Sequence, residues 1–305
     1  MERIVLLSKG WVAGSEFEQA LRQTHKIDST SLEKPESFLF RFPPSCKIMV
    51  DAAVRLLSFA NQRVAQGQQV TLLFEGQRHE AMNYLNRANF FALLAEQVQV
   101  QPHRPDTSEV KRYQGQNRGL VEFRSIHPLH NQQDDDIPGQ LTKALETAME
   151  KRPDMGYFRH TAYTTFAELV NNIYGHSQTV LSGFAALQVY QQGGRVLVVV
   201  SDSGIGLLTT LRPKLMSPTP LNDTETLRQL FQGTLTWKHG GTGQGLEECG
   251  MRALKLSGSV TIRLETCSVY LTSSDSRSMR AAYQEHLVPL AGTHICFSFP
   301  LDTPH

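Results

Sequence analysis

Three short stretches carry residue types that could do chemistry on a bound ligand. In "FAELVNNIYGHSQ" (166–178), Glu168 and Asn172 stand four residues apart, one turn of a helix, and His176 continues the row. Phe166, Leu169, Val170 and Ile173 fall on the opposite face, so taken alone the row reads as the solvated side of an amphipathic helix. In "VLVVVSDSGIGL" (196–207), an apolar strand ends at Asp202 and turns through Gly204, Ile205 and Gly206. A strand-end aspartate can accept a hydrogen bond from an exocyclic amine, and glycines let backbone approach a ligand, although such a turn by itself is common. In "HGGTGQGLEECGMRALKLSG" (239–258), Gly240, Gly241, Gly243 and Gly245 open directly into a helix. Their N–H groups would point at an anion where the macrodipole also favours negative charge. Without a GK[ST] ending this is not a P-loop, and without a strand running straight into it, it is not a dinucleotide fingerprint.

These residues need a scaffold. Apolar periodicity predicts helices over 140–151, 157–176 and 245–256, and strands over 182–190, 195–201, 259–265, 267–272 and 293–299. Helices grouped beside closely spaced strands predict an α/β chain whose second half is a two-layer α/β sandwich with a mixed sheet. "HPLHNQQDDDIPG" has two prolines, three consecutive aspartates and no apolar period, which marks 127–139 as a linker. Residues 1–126 then form a smaller α/β domain, with strands at 69–76 and 98–102 and a helix over 79–98 in which Tyr84, Phe90 and Phe91 read as core. Residues 140–305 form the second domain.

In order along the chain, Glu168-x-x-x-Asn172, Asp202-x-Gly204-x-Gly206 and Gly241-Thr242-Gly243-Gln244-Gly245-Leu246 resemble the N, G1 and G2 boxes of the GHKL ATPase superfamily. "GTHICFSFP" (292–300), with Thr293 at its start, resembles that family's closing strand. The resemblance covers about half the chain and implies a Bergerat fold holding ATP and Mg²⁺ under a lid at about 207–239. It implies that Asp202 reads the adenine amine beside Gly204, Ile205 and Gly206, and that Asn172 holds the metal. Gly243, Gln244, Gly245 and Leu246 would offer main-chain donors to the phosphates next to Gly241 and Thr242. Lys238 would reach the terminal phosphate, or else is a solvated lid lysine. Glu168 would take a proton from the attacking water or hydroxyl, or else only orients a water. Histidine kinases typically carry a non-acidic residue at that position, and no phospho-acceptor helix is recognisable, so self-phosphorylation on histidine is not expected. The lid looks most like that of anti-sigma-factor-type regulators and sensor-like ATP-binding proteins, and residues 70–94 are faintly similar to STAS modules.

Composition narrows the class. Thirty basic and twenty-nine acidic residues leave a net charge of +1, so no global field points to nucleic acid or an anionic membrane. The run "IVLL" (4–7) is too short for a signal peptide or a membrane span, which predicts a cytoplasmic protein. Cys46, Cys249, Cys267 and Cys296 are scattered, without metal-ligand or disulfide spacing. The expected function is a regulatory Mg-ATP-binding protein with slow hydrolysis and a protein partner or a homodimer. The alternatives are a serine kinase of the anti-sigma-factor type and a nucleotide-sensing interaction module without turnover.

Overall fold

Val196, Val198 and Val200 face one way from their strand and Leu197 and Val199 the other, and all five are buried. A strand apolar on both faces must be covered on both, and that requirement organises the molecule. The computed structural model describes residues 2–27, 37–77, 80–108, 119–128, 136–215, 222–232, 234, 244–255, 257–275 and 278–302. In the N-terminal part, β1 (Glu2–Leu6), β3 (Ser37–Phe42), β5 (Gln69–Phe74) and β6 (Gln99–Gln101) form a parallel sheet in the order β1-β3-β5-β6. A short parallel pair, β2 (Gly10–Val12) and β4 (Cys46–Ile48), precedes the helices α1 (Gly14–Ile27) and α2 (Val50–Ala65) respectively.

The helix expected over 79–98 is two, α3 (Glu80–Arg87) and α4 (Phe90–Leu93). Asn89 between them adopts φ 69°, a left-handed conformation that asparagine tolerates better than most residues. Its amide donates to the Phe123 carbonyl, and Phe123 N–H donates to that of Ala88, so the break ties this corner to the next strand.

That strand, β7 (Leu120–Ile126), lies upstream of the expected linker but forms the edge of the larger sheet. The sheet contains β8 (Gly183–Tyr190), β9 (Arg195–Ser201), β10 (Ser259–Arg263), β11 (Ser268–Asp275), β12 (Ser278–Gln284) and β13 (His294–Pro300). Its order is β12-β11-β10-β13-β9-β8-β7, and every neighbouring pair is antiparallel, which corrects the expectation of a mixed sheet. One face carries α5 (Ile137–Ala148), α6 (Met155–His176) and α9 (Gln244–Lys255), together with α8 (Asp223–Phe231). Phe166, Leu169, Val170 and Ile173 supply the buried face of α6, as their spacing predicts.

The opposite face of this sheet is not open, so the two-layer expectation is also corrected. Helix α2 packs between the two sheets, its Val54, Leu57 and Phe59 sharing one core with Phe40 of β3 and with Phe184, Leu197 and Val199. Even its polar residues Arg55, Ser58 and Gln62 are buried, as expected for a helix enclosed on nearly all sides. Where α1 and α2 meet the large sheet, Glu18, Arg55 and Arg263 form a buried ionic cluster. Arg263 Nε donates to Glu18 Oε1 at 3.0 Å, and Nη1 donates to the carbonyls of Leu264, Glu265 and Leu290 at 2.7, 2.9 and 2.9 Å. Among the described residues no helix is long and apolar enough to cross a membrane.

Candidate functional site

At the end of the β9/β13 pair, Ser201 stands opposite His294, and the chain leaves the sheet on both sides. One residue further out, the Asp202 N–H donates to the Thr293 carbonyl at 2.9 Å. Asp202 Oδ1 accepts the Gly204 N–H at 2.7 Å, which folds the turn back on itself. The Leu207 N–H, opening α7 (Leu207–Leu211), donates to Thr293 Oγ1 at 3.0 Å. Asp202, Gly204, Ile205, Gly206 and Thr293 are thus brought together, as their motifs predict.

The same turn rests on the end of α6. Ile205 N–H donates to the Ser177 carbonyl at 2.9 Å, and a Cβ on Gly204 would lie 2.0 Å from that oxygen. Only a residue without a side chain fits there. Gly204→Ala is therefore expected to lower stability by at least about 1–3 kcal/mol, the range for overpacking a tight site. A urea midpoint unchanged by that substitution would contradict the contact. Gly206 has φ +77°, which keeps its backbone accessible without a Cβ penalty.

Burial pushes the Asp202 carboxyl above its ordinary range, outweighing the opposing hydrogen bonds from the backbone N–H groups of Gly204, Ser203 and Thr293. A carboxylate in such a place gains from any donor that reaches its remaining lone pairs.

Helix α6 ends beside this turn and carries Glu168 and Asn172 on its polar side. Asn172 is exposed, roughly 7–8 Å along the helix axis from Ser177 at 1.5 Å per residue. Glu168 Oε1 lies 3.8 Å from Arg252 Nη1 of α9, both side chains partly exposed. The polar row is thus shared between two helices rather than left wholly to solvent, and Arg252 is a site neighbour that the motif reading did not single out. Gln244, Gly245 and Leu246 form the first turn of α9. Lys238, Gly241, Thr242 and Gly243 lie outside the described residues.

A second set of residues missed at the sequence level braces the turn from behind. Gln62 of α2 grips Ala291 with both ends of its amide: Nε2 donates to the carbonyl at 3.0 Å and Oε1 accepts the N–H at 2.9 Å. His294 Nε2 lies 3.0 Å from the Ala291 carbonyl, which can only accept, so Nε2 carries the proton and Nδ1 accepts from Ser201 Oγ at 2.5 Å. Ser201 Oγ in turn accepts from Ser58 Oγ of α2 at 3.1 Å. Burial, and then the Arg263 and Arg55 charges, hold the His294 imidazole well below its usual range and keep it neutral. The available signal is a serine and a glutamine four residues apart, in line with the apolar positions of a helix, which points to a buried polar contact without naming it.

Compared with family models, with curated proteins and with solved structures, the chain matches none.

Proposed function

We propose that this chain is a regulatory ATP-binding protein of the GHKL type that closes on Mg-ATP and hydrolyses it slowly. The observation that carries the reading is the Asp202 turn: a desolvated carboxylate oriented by the backbone N–H groups of Gly204, Ser203 and Thr293. The residues present fit the ligand. The exocyclic amine of adenine is a further donor that such a carboxylate can accept, and Gly206 leaves the backbone open to a flat ring. Asn172, exposed on α6, would hold Mg²⁺ by an oxygen while leaving coordination positions to water and phosphate. The metal, when bound, neutralises charge on the phosphates.

The residues of this chain would then divide the work. Asp202 and Thr293 fix the base end, and the first turn of α9, with the glycines before it, offers N–H groups to the phosphates. Glu168 receives the proton of the attacking water. The lid, about 207–239, changes what the protein presents to a protein partner or to a second copy.

The Arg252 contact favours a second reading, a nucleotide-sensing module without turnover, because a guanidinium at 3.8 Å competes with water for the Glu168 carboxylate. One experiment separates these readings and the serine-kinase alternative. The purified chain is incubated with γ-labelled ATP and Mg²⁺, and the label is followed. The proposal predicts free phosphate, with release falling at least about 100-fold in Glu168→Ala while nucleotide still binds, the scale of a lost general base. Label on protein would assign a kinase, and equal release by both proteins would remove Glu168 from the chemistry.

A further inference from the structure

A cavity lies at the other end of β9. Its volume is about 1010 Å³, at the upper end for small-molecule sites, and it opens between the β8–β9 turn and the N-terminal elements β2, β4 and α3. Three aromatic residues, Trp11, Tyr84 and Tyr190, line it. Trp11 is 57% exposed and meets the Tyr190 ring edge-on, with centroids 5.9 Å apart. Tyr190 Oη accepts the Val50 N–H at 2.9 Å, which fixes its ring against the start of α2. The Tyr84 hydroxyl is buried beside the hydroxyl of Tyr190.

Charge in this cavity is unbalanced. Lys47 lies 5.7 Å over the Trp11 ring and 3.8 Å from Glu80, so that pair is neutral overall. Arg87 and Arg195 also line the cavity, and among the described residues neither has an acidic partner. Arg195 Nη2 lies 3.9 Å from the Met49 sulfur. Two guanidiniums outnumber the one nearby carboxylate outside the Lys47–Glu80 pair, that of Asp51 beside Tyr84 and Tyr190, and with the three aromatic rings they match a ligand that is itself flat and acidic. Guanidinium forks bind carboxylate, sulfonate or phosphate oxygens in pairs, and indole and phenol faces stack on a ring.

We propose that this cavity is a binding site for a small planar anion, an aromatic ring bearing an acidic group. It is independent of the nucleotide reading, because Arg195 and Ser201 end the same strand on opposite sides, roughly 20 Å apart at about 3.3 Å per residue.

The probe is 1-anilinonaphthalene-8-sulfonate, titrated into the full chain while dye emission and tryptophan quenching are read. The expected result is one saturable site whose affinity rises as salt is lowered. Its affinity falls at least about tenfold when Arg87→Gln and Arg195→Gln are combined, the scale of lost charge-assisted hydrogen bonds. Both arginines are exposed, and the paired Arg87→Lys, Arg195→Lys variant should recover most of the binding, which separates charge from any disturbance of folding. The uncharged N-phenyl-1-naphthylamine should bind at least about tenfold more weakly. Non-saturable binding, equal affinity in the glutamine variant, equal affinity for the uncharged dye, or displacement of the dye by ATP in simple competition would each overturn the assignment.

Discussion

Asp202→Asn is expected to abolish measurable ATP binding while leaving the fold as stable as before or more so. The two expectations share one cause. Asn keeps an oxygen to accept the Gly204 N–H, so the turn survives. Its other atom becomes an NH₂ donor facing the adenine amine, and two donors cannot bond. Losing a charge-assisted hydrogen bond and leaving both donors unsatisfied is worth about 3 kcal/mol or more, over 100-fold in affinity. Stability moves the other way. The folded carboxyl titrates above its unfolded value, so as pH rises through that interval the native state loses stability by having to ionise a buried group. The neutral amide escapes this penalty, so the variant should match or exceed the parent at neutral pH. That advantage should vanish as pH falls below the ordinary carboxylate range. Thermal melts across pH, beside calorimetric titration with ATP, check both halves. Retained ATP affinity would remove Asp202 from the site.

Glu18→Ala is expected to produce the largest loss of stability, about 3–5 kcal/mol, because it strips the counter-charge from a fully buried arginine. Arg263 is 0% exposed, and Glu18 lies 3.0 Å from its Nε and 3.3 Å from Arg55 Nη1. Removing Glu18 leaves two guanidiniums facing each other in the interior. Arg263 also donates to the carbonyls of Val288 and Leu290, just ahead of the Ala291–Thr293 segment that Gln62 grips. Loosening this cluster should therefore weaken nucleotide binding as well as folding. Urea unfolding of the full chain measures the stability loss, and a change below about 1 kcal/mol would show that the cluster does not hold the two sheets together.

The parts of the molecule legible in the sequence are those where one period and one chemistry act locally. The α6 face of Phe166, Leu169, Val170 and Ile173 and the strand running into a turn at Asp202 follow from spacing and turn chemistry alone, whereas the need for glycine at Gly204 comes from its contact with the Ser177 carbonyl. Strand direction does not, since an apolar run buried on both faces reads alike in parallel and antiparallel sheets; hence the mixed sheet was expected and an antiparallel one is found. Strand β12, "SMRAAYQ", went unseen because it lies at the sheet edge with little to bury and so lacks a clear apolar alternation. The second layer over β8 and β9 was hidden for another reason. It is made by α2, more than a hundred residues upstream, and only long-range packing joins "VDAAVRLLSFANQRVA" to those strands. Ser58, Gln62 and Arg252 escaped notice for the same reason, each acquiring its role from a partner distant in sequence.

On the proposed reading, the Asp202 turn, the end of α6 and Thr293 form the base-reading end of an adenine-nucleotide site. Isothermal titration of the full chain with ATP and with GTP, each with Mg²⁺, tests it most directly. One saturable site for ATP is expected, with at least about tenfold weaker binding of GTP, whose ring presents a carbonyl oxygen to Asp202 where adenine presents an amine. No heat with ATP, or equal affinity for the two nucleotides, would contradict it.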